Sequence, residues 1–349
     1  MRNARKWAVI VAGVMALSLV AAACSNDDGG DSGSSGSTGA SGATGLSGSI
    51  TVSGSSTVLP ISNLVAELFA GQNPDVQVSV DGPGTGDGFV LFCKGETDIS
   101  DASRPIADDE KAACTAAGID YVELAIAFDG ITVMTNPQNS DVTCLNSGDL
   151  YSLFGPESEG IDTWNGADSL AKKVGGKDNF PDAPLEITAP GAESGTYDAF
   201  IELSGITDIA LEQGLTEDQS VTLRPDYQSS PDDNVIIQAM EGSAGALGFT
   251  GFAYAEGAAD QVKVIQIDEG SGCIEPTRDT IADGSYPLSR TLYIYVNKEK
   301  IASNPALKAF VDLYVSDDGI VNAVQQAGYV DLPTDQIDAT RSTWDSASA

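Results

Sequence analysis

From residue 49 onward the chain alternates two kinds of apolar spacing. Short β-branched runs such as "SITVS" (49–53), "VQVSV" (76–80) and "LEITA" (185–189) carry the period of strands. "IDYVELAIAF" (119–128) and "GITVMTN" (130–136) predict two further strands around Asp129-Gly130, and "SRTLYIYVN" (289–297) a late one. Between them lie amphipathic stretches: "LPISNLVAELFAG" (59–71), "DDEKAACTAAG" (108–118), "SGDLYSLFG" (147–155), "GTYDAFIEL" (195–203) and "SPDDNVIIQAMEG" (230–242). The last has acidic residues in its first turn and glycine at its end, as helices prefer. Further helices are expected in "NPALKAFVDLYVS" (304–316) and near the C-terminus. Strands alternating with helices predict βαβ units, hence an α/β fold with mainly parallel sheets.

Three strand-to-helix connections share a composition. "SGSSTVLP" (53–60), "GPGTGDGF" (82–89) and "GAESGT" (191–196) each bring glycine and a hydroxyl to the start of a helix. In α/β sheets ligands bind beyond the carboxyl ends of strands. Helix-start N–H groups and the helix dipole attract oxyanions there. Glycine permits close approach, and Ser or Thr adds a donor. Any one such turn is more often a plain N-cap. Three in one chain point to a divided anion site.

Composition narrows the chemistry. The 349 residues exceed one ordinary core, so two domains are expected. There is no histidine, which removes Ser-His-Asp and Cys-His catalysis. A net charge of −34 excludes nucleic acid as a partner. "SLAK" (169–172) lacks companion KTG or SDN elements, "GAESG" is not a nucleophile elbow, and "VGGKD" lacks P-loop spacing.

Residues 1–24 read as a secretory signal: Arg2, Arg5 and Lys6 precede "WAVIVAGVMALSLVAAA" and then Cys24. The arrangement resembles the bacterial lipoprotein signal, whose cysteine is lipidated, with Ala21 where leucine is usual. The alternative is an uncleaved anchor, for which the apolar segment is short. Residues 25–48 are rich in Gly and Ser and form a tether spanning roughly 25–30 Å as a random coil. Four cysteines remain, Cys93, Cys114, Cys144 and Cys273. An even number in an exported chain implies disulfides among three connectivities. The expected pairs are Cys93–Cys114 and Cys144–Cys273; zinc has neither histidine nor CxxC spacing to support it.

The motifs "SGSSTVLP", "GPGTGDGF", "TDISDASRPI", "AFDGITV", "SGTYDAF", "GALGFTGFAYA" and "YPLSRTLYIYV" occur in one order over nearly all of 49–349. In this the chain resembles the phosphate-binding proteins of phosphate-specific ABC importers, including a branch with disulfides. The resemblance implies a two-lobed, type II periplasmic-binding-protein-like fold hinged by two crossover strands. Residues 49–130 with 286–349 would form one lobe and 131–285 the other. Each expected disulfide would then stay within a lobe.

The resemblance also implies the ligand set. Ser55, Ser56 and Thr57 would donate from the first turn, Thr85 from the second, and Ser194, Gly195 and Thr196 from the third. Two positions depart from the family. Pro190 stands where many members carry arginine, and Ser103 where many carry an aspartate that accepts the phosphate proton and rejects sulfate. Arg104 is the candidate replacement cation. Asp87 is the first candidate carboxylate, because it shares a turn with Thr85, followed by Asp129 and Glu193.

The expected function is therefore an extracytoplasmic receptor, lipid-anchored to the bacterial cell membrane. It would bind inorganic phosphate as a monomer, pass it to the permease subunits of an ABC importer, and need neither cofactor nor metal. It would not be an enzyme. The rival readings are a receptor for another oxyanion such as sulfate, a phosphate-ester hydrolase, and a surface adhesin or sensor. The acidic surface is no obstacle, since distant charges are screened within roughly 8 Å at physiological ionic strength.

Overall fold

The computed structural model describes residues 45–192 and 194–349. The expected signal with Cys24, nearly all of the tether, and Glu193 lie outside the described residues. The strands are β1 Gly48–Gly54, β2 Val76–Asp81, β3 Ile99–Ala102, β4 Tyr121–Thr135, β5 Cys144–Leu145 and β6 Glu186–Ala189. They continue with β7 Gln228–Ser229, β8 Ala246–Gly251, β9 Lys263–Val264, β10 Gln266–Ile267 and β11 Ser289–Asn297. The first helices are α1 Leu59–Gln72, α2 Thr85–Phe92, α3 Asp108–Ala117, α4 Ser147–Phe154, α5 Asp168–Lys173 and α6 Gly195–Leu203.

The main sheet runs β2-β1-β3-β11-β4-β8-β6-β7, with β9 beside β4. Its two wings are parallel: β1 with β2 and β3 on one side, β6 with β7 and β8 on the other. The middle is antiparallel, because β11 returns between β3 and β4 and β4 also opposes β8. The expectation of mainly parallel pairing thus holds for the βαβ wings and not for the centre. There the connections are long returns rather than crossover helices.

Asp129-Gly130 does not separate two strands. β4 continues through it, pairing up to Gly130 with β11 and from Ile131 with β8. Ser289 faces Gly130 and Arg290 faces Asp129, so the ladder supplies the hydrogen bonds a turn would otherwise need. Gly130 also lies against Ile281, whose Cδ1 is 2.6 Å from where a Cβ would stand. The glycine there serves packing, not chain reversal.

Two large apolar clusters flank the sheet. One gathers Ile50, Val52, Ile61, Val65, Phe69, Ile294 and Phe310; the other gathers Val133, Leu150, Phe154, Phe200 and Phe249. Ile61, Val65 and Phe69 recur every fourth residue on α1, which fixes its inward face. Phe200 of α6 stacks on Phe249 of β8 with ring centroids 3.9 Å apart, which anchors α6 on an interior strand of the sheet. The disulfides join Cys93 to Cys114 and Cys144 to Cys273, as expected.

Candidate functional site

The three hydroxyl turns converge. β1 ends at Gly54, and the amide of Ser55 donates to the Asp101 carbonyl at 2.9 Å. Gly54 has φ +153°, and a Cβ there would stand 2.0 Å from that carbonyl, so only glycine lets β1 and β3 meet this closely. The second turn is tied back by Gly84, whose amide donates to the Gly54 carbonyl at 2.8 Å. A Cβ on Gly82 would lie 3.3 Å from Ser56 Cα, and one on Gly195 would lie 3.3 Å from the Ser56 carbonyl oxygen. Ser56 and Thr57 therefore sit between the second and third turns.

The hydroxyls have different tasks. Ser55 is buried, and its Oγ accepts from the amides of Thr57 at 3.2 Å and Val58 at 3.4 Å. These contacts close a turn ahead of α1, whose N-cap Val58 has no side-chain cap, and they use only lone pairs, so the Ser55 hydroxyl keeps its hydrogen. Ser194 caps α6, accepting from the Thr196 amide at 3.1 Å. Thr85 and Ser103 pair through their hydroxyls at 3.0 Å, and Thr85 Oγ1 also accepts from the Ser103 amide. Ser56 Oγ donates to Asp198 Oδ2 at 3.2 Å, linking the first turn to α6. Thr57 is buried, and its Oγ1 accepts from Arg290 Nη2 at 3.0 Å.

Arg290 is the cation that the sequence reading missed. Its side chain is 9 % exposed and reaches three elements. Nε donates to Asp129 Oδ2 at 3.2 Å, Nη1 to Glu202 Oε2 at 2.5 Å, and Nη2 to Thr57. Burial alone would lower the guanidinium's pKa, yet Asp129 and Glu202 raise it, so it stays charged. The available signal was a lone cation at the head of "RTLYIYV", an otherwise apolar and aromatic strand, where an arginine needs a buried partner.

Arg104, the expected cation, lies beside the second turn, with Nη2 3.9 Å from where a Cβ on Gly86 would stand, and is paired with Glu110. Its Nη1 and Nη2 each donate to Glu110 at 2.8 Å, in a bidentate pair, and Nη1 also donates to the Pro105 carbonyl. Its side chain is 37 % exposed and lies over the Phe89 ring. The pair raises the pKa of Arg104, first through the Glu110 hydrogen bond. Glu110 also caps α3 through the Ala107 amide, so it holds Arg104 by a structural fixture rather than by chance contact.

The candidate carboxylates also separate. Asp87 is exposed in the first turn of α2 and makes no cap hydrogen bond to it. Asp129 is buried against Arg290; burial raises its pKa, and the guanidinium works against that. Glu193 lies outside the described residues. Two carboxylates that sequence reasoning did not consider face the turns from α6, Asp198 and Glu202. They stand four residues apart, hence on one face of the helix. Pro190 carries no charge into the third turn; its carbonyl accepts from the Tyr227 hydroxyl at 2.8 Å.

A family model described as a PBP superfamily domain matches residues 38–318. Protein SphX of Synechocystis is 39% identical over 278 residues, covering 79% of this chain and 76% of its own. The phosphate-binding protein PstS of Staphylococcus saprophyticus is 33% identical over 330 residues, covering 94% of this chain and 91% of its own. Among solved structures, a possible phosphate binding protein from Planctomyces limnophilus superposes with a TM-score of 0.77 at 35% identity. That match covers 86% of this chain and 99% of the other.

Proposed function

Because this chain belongs to the PBP superfamily, we propose that it is an extracytoplasmic solute-binding protein that captures inorganic phosphate and delivers it to an ABC importer. The observation that carries this reading is the convergence of three hydroxyl turns beside one buried guanidinium. Amides at helix starts, several hydroxyls and a fixed cation make a donor-rich pocket for a tetrahedral oxyanion.

The ligand set we propose is Ser56, Thr57, Thr85, Ser103, Ser194, Gly195 and Thr196, with Arg290 in the place first assigned to Arg104. Ser55 joins the set through its hydroxyl hydrogen, since its Oγ only accepts from the Thr57 and Val58 amides and its own amide is given to Asp101. Asp87, exposed on α2, is left out of contact with the anion. The division into lobes, 49–130 with 286–349 and 131–285, fits this set. The Ser56–Asp198 and Arg290–Glu202 contacts, and the approach of Gly195 to Ser56, all cross it. Ligand is then held between the two parts, and hinge closure is the expected response.

Calorimetry on purified protein tests the reading. Phosphate is expected to bind with micromolar or tighter affinity, about −8 kcal/mol, without added metal. Heat with sulfate but none with phosphate would transfer the assignment to another oxyanion. Turnover of a phosphate ester by the metal-free protein would support a hydrolase instead. The Staphylococcus saprophyticus relative is a phosphate-binding protein, and this chain has no histidine to serve as a general base.

We further propose that Cys24 is lipidated and that the Gly/Ser tether keeps the receptor near the permease. Cys24→Ser should shift the protein from the membrane fraction to the soluble one. Retention in the membrane fraction would favour the uncleaved anchor.

A further inference from the structure

A cavity of about 390 Å³ lies against β4 and is separate from the three hydroxyl turns. Its walls are Phe252, Ala255 and Ala259, from the helix Phe252–Gly257 and the turn after it, with Val262 and Val264 beside them. None of the residues assigned to the anion takes part. The volume falls among small-ligand sites, which run from roughly 300 to 1,000 Å³.

Thr132 of β4 is fully buried and lines this cavity, and its Oγ1 has no hydrogen-bond partner. Side chains alternate along a strand. Ile131 and Val133 join the apolar cluster of Phe200 and Phe249. On the other side, a Cβ on Gly130 would lie 3.4 Å from Phe252 Cβ, and Met134 packs with Val262. Thr132 therefore points to the side where Phe252 and Val262 line the cavity. A buried hydroxyl left unpaired is costly, and a ligand atom in the cavity would pair it.

The mouth is acidic. Glu256, Glu275 and Asp279 are exposed there with one cation, Arg278. Arg278 is taken by Glu256 at 2.7 Å and by Asp331 at 3.1 Å. Glu275 and Asp279 pair with no cation among the described residues. We propose that the cavity binds a small amphipathic amine. Its ammonium would meet Glu275 and Asp279, its apolar body would lie along Phe252 and Val262, and a polar atom at its far end would bond Thr132. An anion is repelled by this mouth, and a purely apolar molecule leaves the Thr132 hydroxyl unpaired.

Tyramine is a suitable probe, since a phenol hydroxyl and an ammonium lie at opposite ends of one molecule. Calorimetry should give a Kd on the order of 0.1–1 mM for a ligand of this size. Phenethylamine, which lacks the hydroxyl, should bind about tenfold more weakly, as one lost hydrogen bond predicts. In Thr132→Val, which keeps the side-chain shape, the two amines should bind alike. Para-ethylphenol, without the ammonium, should bind a few-fold more weakly than tyramine, and Glu275→Gln with Asp279→Asn should remove that difference. Ala259 is exposed on the cavity wall, so Ala259→Phe should block all three ligands while melting with the wild type. No saturable binding of tyramine at millimolar concentration would overturn the proposal. So would equal wild-type affinity for tyramine and phenethylamine, or tyramine binding that survives Ala259→Phe.

Discussion

Arg290→Ala is expected to weaken phosphate binding by about 100-fold or more and to lower stability by about 3–5 kcal/mol. The two losses have different origins. Charge-assisted hydrogen bonds to an anion contribute about 1.5–3 kcal/mol each, and Arg290 is the buried guanidinium placed beside Thr57. The stability loss comes from Asp129, which is 2 % exposed and would be left in the protein interior without its counterion. Arg290→Lys should retain the charge but lose the planar fork that meets Thr57, Asp129 and Glu202 together, so it should fall between the two. Combining Arg290→Ala with Asp129→Ala removes both buried charges. It should recover much of the melting temperature and none of the affinity. Thermal melts without ligand and calorimetry with phosphate separate these effects. Phosphate affinity within threefold of wild type in Arg290→Ala would move the search for the cation back to Arg104.

Stability should fall as pH rises from about 4 to about 7, and Asp101→Asn should remove much of that fall. Asp101 is fully buried behind the first turn. Its Oδ2 accepts from Ser62 at 2.7 Å, Ser62 in turn pairs with the Tyr314 hydroxyl at 2.9 Å, and Oδ1 has no partner. Burial pushes its pKa from 3.8 to about 7, with the Ser62 hydrogen bond opposing. Over that window the unfolded chain releases the proton while the folded protein keeps it, so folding is progressively disfavoured; above about pH 7 both forms are ionised and the penalty is constant. A displacement of about three pH units corresponds to about 4 kcal/mol at most. The neutral, isosteric asparagine should therefore be equal to or below wild type near pH 4 and more stable by about 2–4 kcal/mol at pH 8. A constant offset between the two proteins across the range would show that Asp101 does not titrate there. The carbonyl of the same residue holds the Ser55 amide, so the ionisation acts directly behind the proposed anion site.

The parts of this site that were legible in the sequence are those set by neighbours along the chain. Gly54, Gly84 and Gly195 each stand beside a Ser or Thr at the start of a helix, and both the glycine requirement and the capping preference act within one turn of backbone. Alternating apolar spacing likewise marked the strands, because side chains on a strand choose a face by local geometry alone. The exception was β4. Two runs around Asp129-Gly130 read as two strands, and only pairing with β11 on one half and β8 on the other shows them to be one.

Register, and which groups it brings together, was decided by the tertiary structure. Asp129 and Arg290 are 161 residues apart and meet because β11 returns antiparallel with Arg290 opposite Asp129. Ser56 and Asp198 are 142 residues apart and meet because Phe200 anchors α6 on β8 while Gly195 lets its first turn approach Ser56. Arg104 and Arg290 carry the same charge in the sequence. Glu110 claims the first from within its own loop and helix, and burial beside Thr57 gives the second its role. Local pattern can mark where a donor turn begins. Which charge completes it depends on long-range packing, because a buried ion is tolerated only where the fold places its partners.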